Sequence, residues 1–352
     1  MTMTLDELRL WQMGNQHLLS PVDMRVAARD LCGVQAQFLG NAIHALRIRS
    51  HAFTEDEARA HLVKNWTVRG SVHVFDRDDL PLFKHCGNGQ EYRSNDWRGY
   101  TLSGRPDHWT LTPERQAYFV DLILGALQDG ERTREELKSL CRAQGMTEVE
   151  ESCMFESWGG GIREMCERGF IHYVVQEKKA FCLSPPFTPI PEEAAALEIA
   201  RRYFTHMGPA TVHDAMYYFH ATAAQVKKWL ALLPVSTVEC EGRTYYYIEN
   251  GQVRGEAMPE CVFLAGFDQL LLAHEKKESL FLRPENVRAI FNLAGIVMPA
   301  LLLDGEVAGR WKKSGRKLAV TMFRTPTMRE RDGIAAAAVA LWDDGVKVQF
   351  AE

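Results

Sequence analysis

The sequence predicts an α+β fold in which one order of elements is repeated along the chain. Three features indicate this. Helix-capping signals recur at short intervals, paired β-rich runs follow groups of helices, and strand patterns dominate after about residue 257. With 352 residues, 46% hydrophobic and 25% charged, the chain is long enough for two or three ordinary domains with a buried core.

The clearest repeat covers residues 111–188. Its first two helices begin at capping signals, Thr112-Pro113 and Thr133 with Glu136. A third helix is expected around residues 153–168, with Gly159 in its middle, before two short strands. Residues 189–256 repeat this order and end in a hairpin. Three helices followed by a two-stranded ribbon are the order of a winged helix, a relative of helix-turn-helix.

The two ends of the chain complete the expected organisation. Residues 1–110 also begin with helices, and residues 66–75 read as one strand. Residues 257–352 are mostly β, with a hairpin signal at Asp304-Gly305. The predicted division is therefore three winged-helix units at 1–110, 111–188 and 189–256, followed by an antiparallel β-rich element at 257–352.

Composition and motifs exclude several classes of function. No apolar run approaches the roughly 18 residues that span a bilayer, and the N-terminal residues lack a signal-peptide pattern, so we expect a cytoplasmic, nucleoid-associated protein without a membrane partner. The eight cysteines show no zinc-finger spacing and are expected to be reduced and mostly buried. Phosphate-loop, dinucleotide-binding, serine-esterase and metalloprotease motifs are missing. We therefore expect no cofactor, no metal and no structural zinc.

Basic charge is concentrated in one segment. Residues 308–331 carry eight basic residues and one acid, a local charge of +7 in a chain whose net charge is −5. A basic face on an acidic body suits a phosphate backbone, because the partner meets the local field. Lysines that protect the edge of a solvated ribbon would produce the same pattern.

Two glutamines flank a small residue in the segment Gln35-Ala36-Gln37. Two side chains at positions i and i+2 share a face only on an extended backbone, because on a helix they diverge by about 200°. If both act on one atom, Gly33 must end the preceding helix and the segment must be extended. The alternative is that the amides tie helix ends together, since buried amides need hydrogen-bond partners.

A second polar candidate is Arg69, Ser71 and His73. These residues alternate along the expected strand and could contact phosphate or sugar from one face. The alternative is a polar strand face in solvent. We leave the roles of His17, His73 and Asp268 open, and each could be structural.

Several segments together resemble a known family, the winged-helix group that includes the AlkZ and YcaQ DNA glycosylases. The similar segments occur in the right order over nearly the whole chain. They are Gly-Val-Gln-Ala-Gln at 33–37, Arg-Gly-Ser-Val-His at 69–73, Phe-Asp-Gln-Leu-Leu-Leu at 267–272, Phe291-Asn292 with Gly295-Ile296, and Leu303-Asp304-Gly305 before Gly309-Arg310-Trp311-Lys312.

This resemblance implies three tandem winged helices and a barrel-like β element arranged around duplex DNA. It implies a monofunctional glycosylase that excises N-alkylated purines, including bulky azinomycin-type adducts and interstrand cross-links. Gln35 and Gln37 match the Gln-ending catalytic pattern of the AlkZ-like branch, whereas the Asp-ending YcaQ-like pattern is not matched. We expect a monomer that contacts DNA through Arg69, Ser71, His73, Arg243, Arg310, Lys312, Lys313, Arg316 and Lys317.

Two other classes of protein fit the winged-helix pattern. A transcriptional regulator would usually be a dimer with regular half-site spacing, and Gln35 and Gln37 would be replaceable. A protein-interaction scaffold would show no salt-dependent affinity for DNA.

Overall fold

The computed structural model describes residues 2–84, 111–156, 160–251, 257–343 and 345–351. Within these residues the fold is mixed α+β, as predicted. Contacts divide the chain into two compact units: unit 1 comprises Met1–Glu55 and Leu197–Glu352, and unit 2 comprises Asp56–Ala196. Residues 85–110 and 252–256 of the predicted winged-helix intervals lie outside the described residues, and so do Cys86 and Gly159.

Unit 2 combines helices with a small sheet. Its neighbouring strands run in the order β3, β2, β5, β6, β4. Its elements are α4 (Glu55–His61), β2 (Leu62–Trp66), β3 (Val72–Asp76), a 3-10 turn (Arg77–Asp79), α5 (Leu80–Phe83), α6 (Pro113–Leu127), β4 (Arg132–Thr133), α7 (Arg134–Ala143), α8 (Glu148–Met154), α9 (Gly160–Arg168), β5 (Ile171–Tyr173) and β6 (Ala180–Leu183).

Unit 1 combines the N-terminal helices with the second half of the chain. Its elements before residue 250 are α1 (Leu5–Asn15), α2 (Met24–Asp30), β1 (Val34–Gln35), α3 (Leu39–Arg47), α10 (Glu192–Arg202, which begins in unit 2), a π-helical segment (Tyr203–Met207), α11 (Val212–Phe219), α12 (Ala223–Leu232), β7 (Ser236–Cys240) and β8 (Arg243–Tyr247).

The rest of unit 1 is built on a five-stranded sheet with the order β13, β12, β11, β10, β9. Its elements are β9 (Cys261–Phe263), α13 (Gln269–Leu272), a 3-10 turn (Pro284–Asn286), α14 (Val287–Ile290), β10 (Ala300–Leu303), β11 (Glu306–Ser314), β12 (Lys317–Met322), α15 (Met328–Trp342) and β13 (Lys347–Ala351).

Local capping chemistry explains where many helices begin. Reciprocal capping boxes are formed by Thr4, Thr133 and Thr211, whose side chains accept from a backbone N–H three residues later. Each satisfies donors that the first helical turn leaves unpaired. The capping box predicted at Thr133 is therefore confirmed.

Two sequence predictions about strands were wrong. Residues 66–75 form a hairpin, because Gly70 adopts a φ of +71° and Thr67 and Ser71 close a turn between β2 and β3. The C-terminal sheet is not wholly antiparallel, because β12 pairs in parallel with β13. Helix α15 connects these two strands, and a helical crossover returns the chain in the same direction.

The cores are apolar, and the cysteines belong to them. Phe119, Ile123, Leu137 and Met165 are buried in unit 2, and Leu264, Phe281 and Leu302 in unit 1. The seven cysteines within the described ranges are free, and five of them are buried, which confirms that expectation for these residues. In the part of the chain described, no helix combines the length and apolar character needed to cross a bilayer.

Candidate active site

Gln35 lies at the end of a short extended segment that leaves helix α2. The helix ends at Asp30, and Cys32 and Gly33 adopt φ values of +53° and +80°. The Gly33 N–H donates to the Ala28 carbonyl at 2.8 Å, which closes the helix end. Val34 and Gln35 are extended. Gly33 therefore ends the helix and Gln35 is extended, as the hypothesis requires, but the extended backbone expected for all of Gln35-Ala36-Gln37 stops before Gln37, which lies in a bend.

A second glutamine holds this segment in place. The side-chain Nε2 of Gln269 donates to the Leu31 carbonyl at 3.0 Å and to the Gly33 carbonyl at 3.1 Å. Gln269 is 1% exposed, so water does not compete for these bonds. The approach to Gln35 is thus fixed by a residue more than two hundred positions away in the chain.

Gln269 is itself held by a buried ion pair. Asp268 precedes it, caps α13 by accepting from the Leu270 N–H at 3.0 Å, and receives Arg49 Nη2 at 2.6 Å. The side chains of Arg49 and Asp268 are fully buried. Arg49 also donates to the carbonyls of Gln16 and Ala45, so its guanidinium has several partners. These contacts support the structural alternative for Asp268, which caps α13 and pairs with Arg49.

Gln35 is half-buried in the wall of an open cavity of about 560 Å³. The cavity has apolar and aromatic walls, and Lys276, Lys277 and Arg288 line it as well. None of the described lining residues is a carboxylate or a histidine. The remaining lining residues are Tyr217, Phe267, Leu272, Pro284, Val287, Phe291, Asn292, Gly295, Ile296 and Val297.

Gln37 lies in a different environment from Gln35. It is exposed, is found in a bend rather than a strand, and is not among the described residues that line the cavity. The neighbouring Phe38 stacks on Phe267, with ring centroids 6.1 Å apart and an interplanar angle of 29°. The structure therefore places Gln35 on the cavity and Gln37 beside an aromatic pair of which one ring, Phe267, lines that cavity.

The predicted strand face of Arg69, Ser71 and His73 does not exist. Arg69 and Ser71 belong to the turn between β2 and β3, and His73 is fully buried on β3. His73 Nδ1 lies 3.0 Å from Thr67 Oγ1 and 2.9 Å from the Ser71 carbonyl. Burial and, to a smaller extent, the Arg69 charge lower the pKa of His73 to about 3, so the ring is neutral at pH 7.

The basic hairpin is defined here as β11 and β12 with five cations, Arg310, Lys312, Lys313, Arg316 and Lys317. All five side chains belong to exposed residues, and in the described ranges none forms an ion pair with a carboxylate. The pairing of β11 with β10 ends at Arg310, so the two lysines that follow lie beyond it. Trp311, Leu318 and Val320 are buried and anchor the hairpin in the core.

Three basic residues outside the basic hairpin already contact carboxylates. Arg324 contacts Glu330, and Arg329 contacts Glu260 at 2.6 Å. Arg243, the remaining predicted DNA contact, lies 3.1 Å from Glu278. Five of the six basic residues of 308–331 that lack a carboxylate partner in the described ranges therefore lie on the basic hairpin, and the sixth, Arg331, lies over the Phe350 ring.

Comparisons with known proteins identify the family. The profile described as "DNA glycosylase AlkZ-like" matches residues 28–343. The chain belongs to the AlkZ-like DNA glycosylase family. It is a DNA glycosylase, a hydrolase that acts on N-glycosyl bonds, and DNA is its partner.

A curated relative and a solved structure extend this comparison. The Streptomyces sahachiroi "Interstrand DNA cross-link repair glycosylase" is 26% identical over an alignment of 339 residues, and the alignment covers 89% of this chain and 89% of the relative. The solved structure of "Streptomyces sahachiroi DNA glycosylase AlkZ" superposes with a TM-score of 0.75 at 20% identity and covers all of both chains. This structural likeness shows a shared fold.

Proposed function

We propose that this glycosylase hydrolyses the N-glycosidic bond of N-alkylated purines in double-stranded DNA, and that bulky adducts and interstrand cross-links are among its substrates. The observation that carries the proposal is Gln35, presented by a held segment to an open, aromatic-walled cavity. The name of the curated relative, a cross-link repair glycosylase, supports the same class of lesion.

The cavity suits a reaction that needs no strong base. Alkylation at N7 makes the purine cationic, so the base departs neutral and the leaving group needs no proton. The transition state for cleavage of such a bond resembles an oxocarbenium ion. What remains is to hold a water near the anomeric carbon and to stabilise the developing charge. The described lining has no carboxylate or histidine, and the Gln35 amide oxygen can accept a hydrogen bond from that water.

We propose that Gln37 is the second catalytic amide and acts from the open side of the site. Its exposure permits it to contact DNA directly. Amides are weak bases and cannot assist a difficult departure. Undamaged purines should therefore resist the enzyme, because their anions are poor leaving groups. The lability of the lesion itself then supplies selectivity.

The openness of the cavity matches a lesion that cannot be extruded. Most enzymes that act on a base rotate it out of the duplex, which a cross-linked base cannot do freely. The aromatic walls suit a cationic purine or an aromatic adduct. The cations Lys276, Lys277 and Arg288 suit the phosphates on either side of the lesion.

We propose that the basic hairpin binds the phosphate backbone of DNA. Its five cations are exposed, and none has a carboxylate partner in the described ranges, so each can neutralise a phosphate. Arg69, Ser71 and Arg243 are proposed as secondary contacts, whereas His73 would act only by supporting the turn of Arg69 and Ser71.

We further propose the finer architecture that the family resemblance implies, with the protein acting as a monomer. Three tandem winged helices at 1–110, 111–188 and 189–256 would precede a barrel-like element at 257–352. Helices α6 to α9 followed by β5 and β6 support the second unit, and α10 to α12 followed by β7 and β8 support the third.

The test is base release from a duplex that carries one 7-methylguanine, read as alkali-sensitive strand cleavage. Wild type should cleave, and Gln35→Ala should lose at least about 100-fold in the single-turnover rate constant, by comparison with loss of one oxyanion-hole amide. Gln37→Ala should also be slower. Gln128→Ala, which removes an exposed amide at the end of α6, is the control and should match wild type.

Two results would count against the proposal. Release of undamaged adenine or guanine at a comparable rate would remove selectivity by lability. Full activity in both Gln35→Ala and Gln37→Ala would show that the active site lies elsewhere in the protein. Duplexes with a defined interstrand cross-link then test the bulky-lesion part of the proposal separately.

A further inference from the structure

Three side chains outside the cavity meet at the end of helix α2. His17 follows α1 with a φ of +60°, Asp30 is the last residue of α2, and His206 lies in the π-helical segment. Asp30 Oδ2 is 2.7 Å from His17 Nε2, and Asp30 Oδ1 is 3.4 Å from His206 Nε2. One ligand atom from each residue lies within 4.8 Å of the others. From this geometry we propose that His17, Asp30 and His206 bind a divalent transition-metal ion.

The spacing is close to that of a metal site. Zinc lies about 2.0–2.2 Å from imidazole nitrogen and carboxylate oxygen, so two ligand atoms on one ion are roughly 3.0–3.4 Å apart for angles between 90° and 109°. The separation of 3.4 Å between His206 Nε2 and Asp30 Oδ1 lies at the upper end of this range, and because His17 contacts the other carboxylate oxygen, Oδ2, both oxygens of Asp30 face the site. The contact of 2.7 Å between His17 and Asp30 is a hydrogen bond that must open by a few tenths of an ångström.

The residue types of the cluster also suit a metal. Two imidazoles and one carboxylate are a ligand set used by zinc and by ferrous iron.

The position of the cluster leaves room for exchange with solvent. The His17 side chain is 1% exposed, but those of His206 and Asp30 are 12% and 22% exposed. An ion can therefore reach the cluster, and water can complete its coordination.

The ion would be structural rather than catalytic. Asp30 ends the helix from which the Gln35 segment departs, and Gln269 holds that segment a few residues later. A metal would join the ends of α1 and α2 to the π-helical segment within unit 1. It would stabilise the folded state by binding that state preferentially.

The experiment uses the whole protein, stripped with chelator and titrated with Zn²⁺ in a calorimeter and with Co²⁺ in a spectrophotometer. Wild type should bind one equivalent of each ion. Co²⁺ should produce visible absorption without the near-ultraviolet band of thiolate ligands, because the ligands are nitrogen and oxygen. Added Zn²⁺ should raise the Tm of wild type.

Three variants decide the assignment. His206→Ala and Asp30→Asn should bind Zn²⁺ at least about 100-fold more weakly, since loss of a ligand exceeds the 10–100-fold cost of losing a supporting contact. His17→Gly should behave alike and should fold, because glycine accepts the left-handed backbone at this position. His51→Ala, an exposed histidine of unit 1, is the control and should bind as wild type does.

Three results would contradict the metal-binding proposal. The proposal is overturned if wild type takes up no ion, if His206→Ala and His17→Gly bind as tightly as wild type, or if the cobalt spectrum shows thiolate coordination. Melting each variant in chelator separates a folding defect from a lost ligand.

Discussion

Polar groups have opposite environments in two regions of the molecule: the buried residues that support the Gln35 segment, and the basic hairpin. Behind Gln35, Arg49, Asp268 and Gln269 are buried and bonded to one another or to backbone carbonyls. On the basic hairpin, five cations are exposed, and within the described residues none has a carboxylate partner. Satisfied polar groups hold geometry, whereas unsatisfied surface charges are available to a partner. Substitutions in the first region should therefore affect stability and rate, and those in the second should affect salt-dependent affinity.

The largest effect is expected from Asp268→Ala. This variant leaves the Arg49 guanidinium buried without its carboxylate, which costs about 3–5 kcal/mol of unfolding free energy. Urea denaturation measures the change. Glu260→Ala, which removes the partner of the exposed Arg329, should cost less than about 1 kcal/mol.

A double variant sharpens this prediction. Arg49→Met with Asp268→Leu leaves no buried charge and should be more stable than Asp268→Ala alone. If Asp268→Ala lost no more than Glu260→Ala, the buried pair would not hold the wall of the cavity.

The next effect concerns DNA affinity. The double variant Lys312→Ala with Lys313→Ala should bind DNA with a weaker salt dependence. The slope of the logarithm of the association constant against the logarithm of the salt concentration should become less negative by about 0.9 for each lost phosphate contact. At 0.15 M salt this amounts to roughly 30-fold weaker binding, or about 2 kcal/mol. Fluorescence anisotropy with an undamaged duplex over a salt series measures it.

The control for the hairpin removes equal charge from paired residues. Arg324→Ala with Arg329→Ala changes two arginines that already contact glutamates. The salt dependence of DNA binding should change less in this double variant than in the lysine double variant. Equal changes in the two double variants would mean that net charge, and not the unpaired hairpin, determines binding.

A smaller effect is expected from Gln269→Leu. The variant keeps a buried side chain but removes the amide that donates to the Leu31 and Gly33 carbonyls. The Gln35 segment should then sample unproductive positions, and the single-turnover rate should fall about 10-fold, or about 1.4 kcal/mol. Duplex affinity and its salt slope should not change. A normal rate together with weaker binding would reverse the roles assigned to the two regions.

The smallest effect is a pH dependence from buried histidines. Burial lowers the pKa of His73 to about 3 and the pKa values of His44 and His172 to about 4. Each is neutral in the folded state, whereas the unfolded chain takes up a proton below about pH 6.5. Stability is therefore complete above that pH and falls as the pH drops toward the folded pKa values. Between pH 7 and pH 6 each histidine should cost somewhat under 1 kcal/mol.

Chemical denaturation at the two pH values measures this loss. His73→Gln should flatten the dependence, although its own stability will be lower at pH 7. His51→Gln, at an exposed position, should leave the dependence as in wild type. An unchanged slope in His73→Gln would indicate that the ring titrates normally and is open to solvent.

Much of the local structure was predictable because its causes lie close together in the sequence. The capping boxes of Thr4 and Thr133 join residues three positions apart, and Asp304-Gly305 closes a hairpin between adjacent strands. The helix end at Gly33 and the extended Gln35 also followed from local spacing, whereas Gln37 lies in a bend rather than in the expected extended segment. Turn residues were less reliable: Gly70 converts one predicted strand into a hairpin, and its effect was not recognised from the pattern of polar residues.

The sequence by itself determined many helix starts, the hairpin at Asp304-Gly305, the excess of basic residues and the presence of two nearby glutamines, because each depends on neighbours along the chain. Only the tertiary structure decided which of these groups are used. It brought Gln269 to Leu31 across 238 positions, buried His73, paired Arg324 and Arg329, and gathered His17, Asp30 and His206 around one point. Burial and ion pairing depend on contacts between distant segments, and those contacts exist only once the chain has folded.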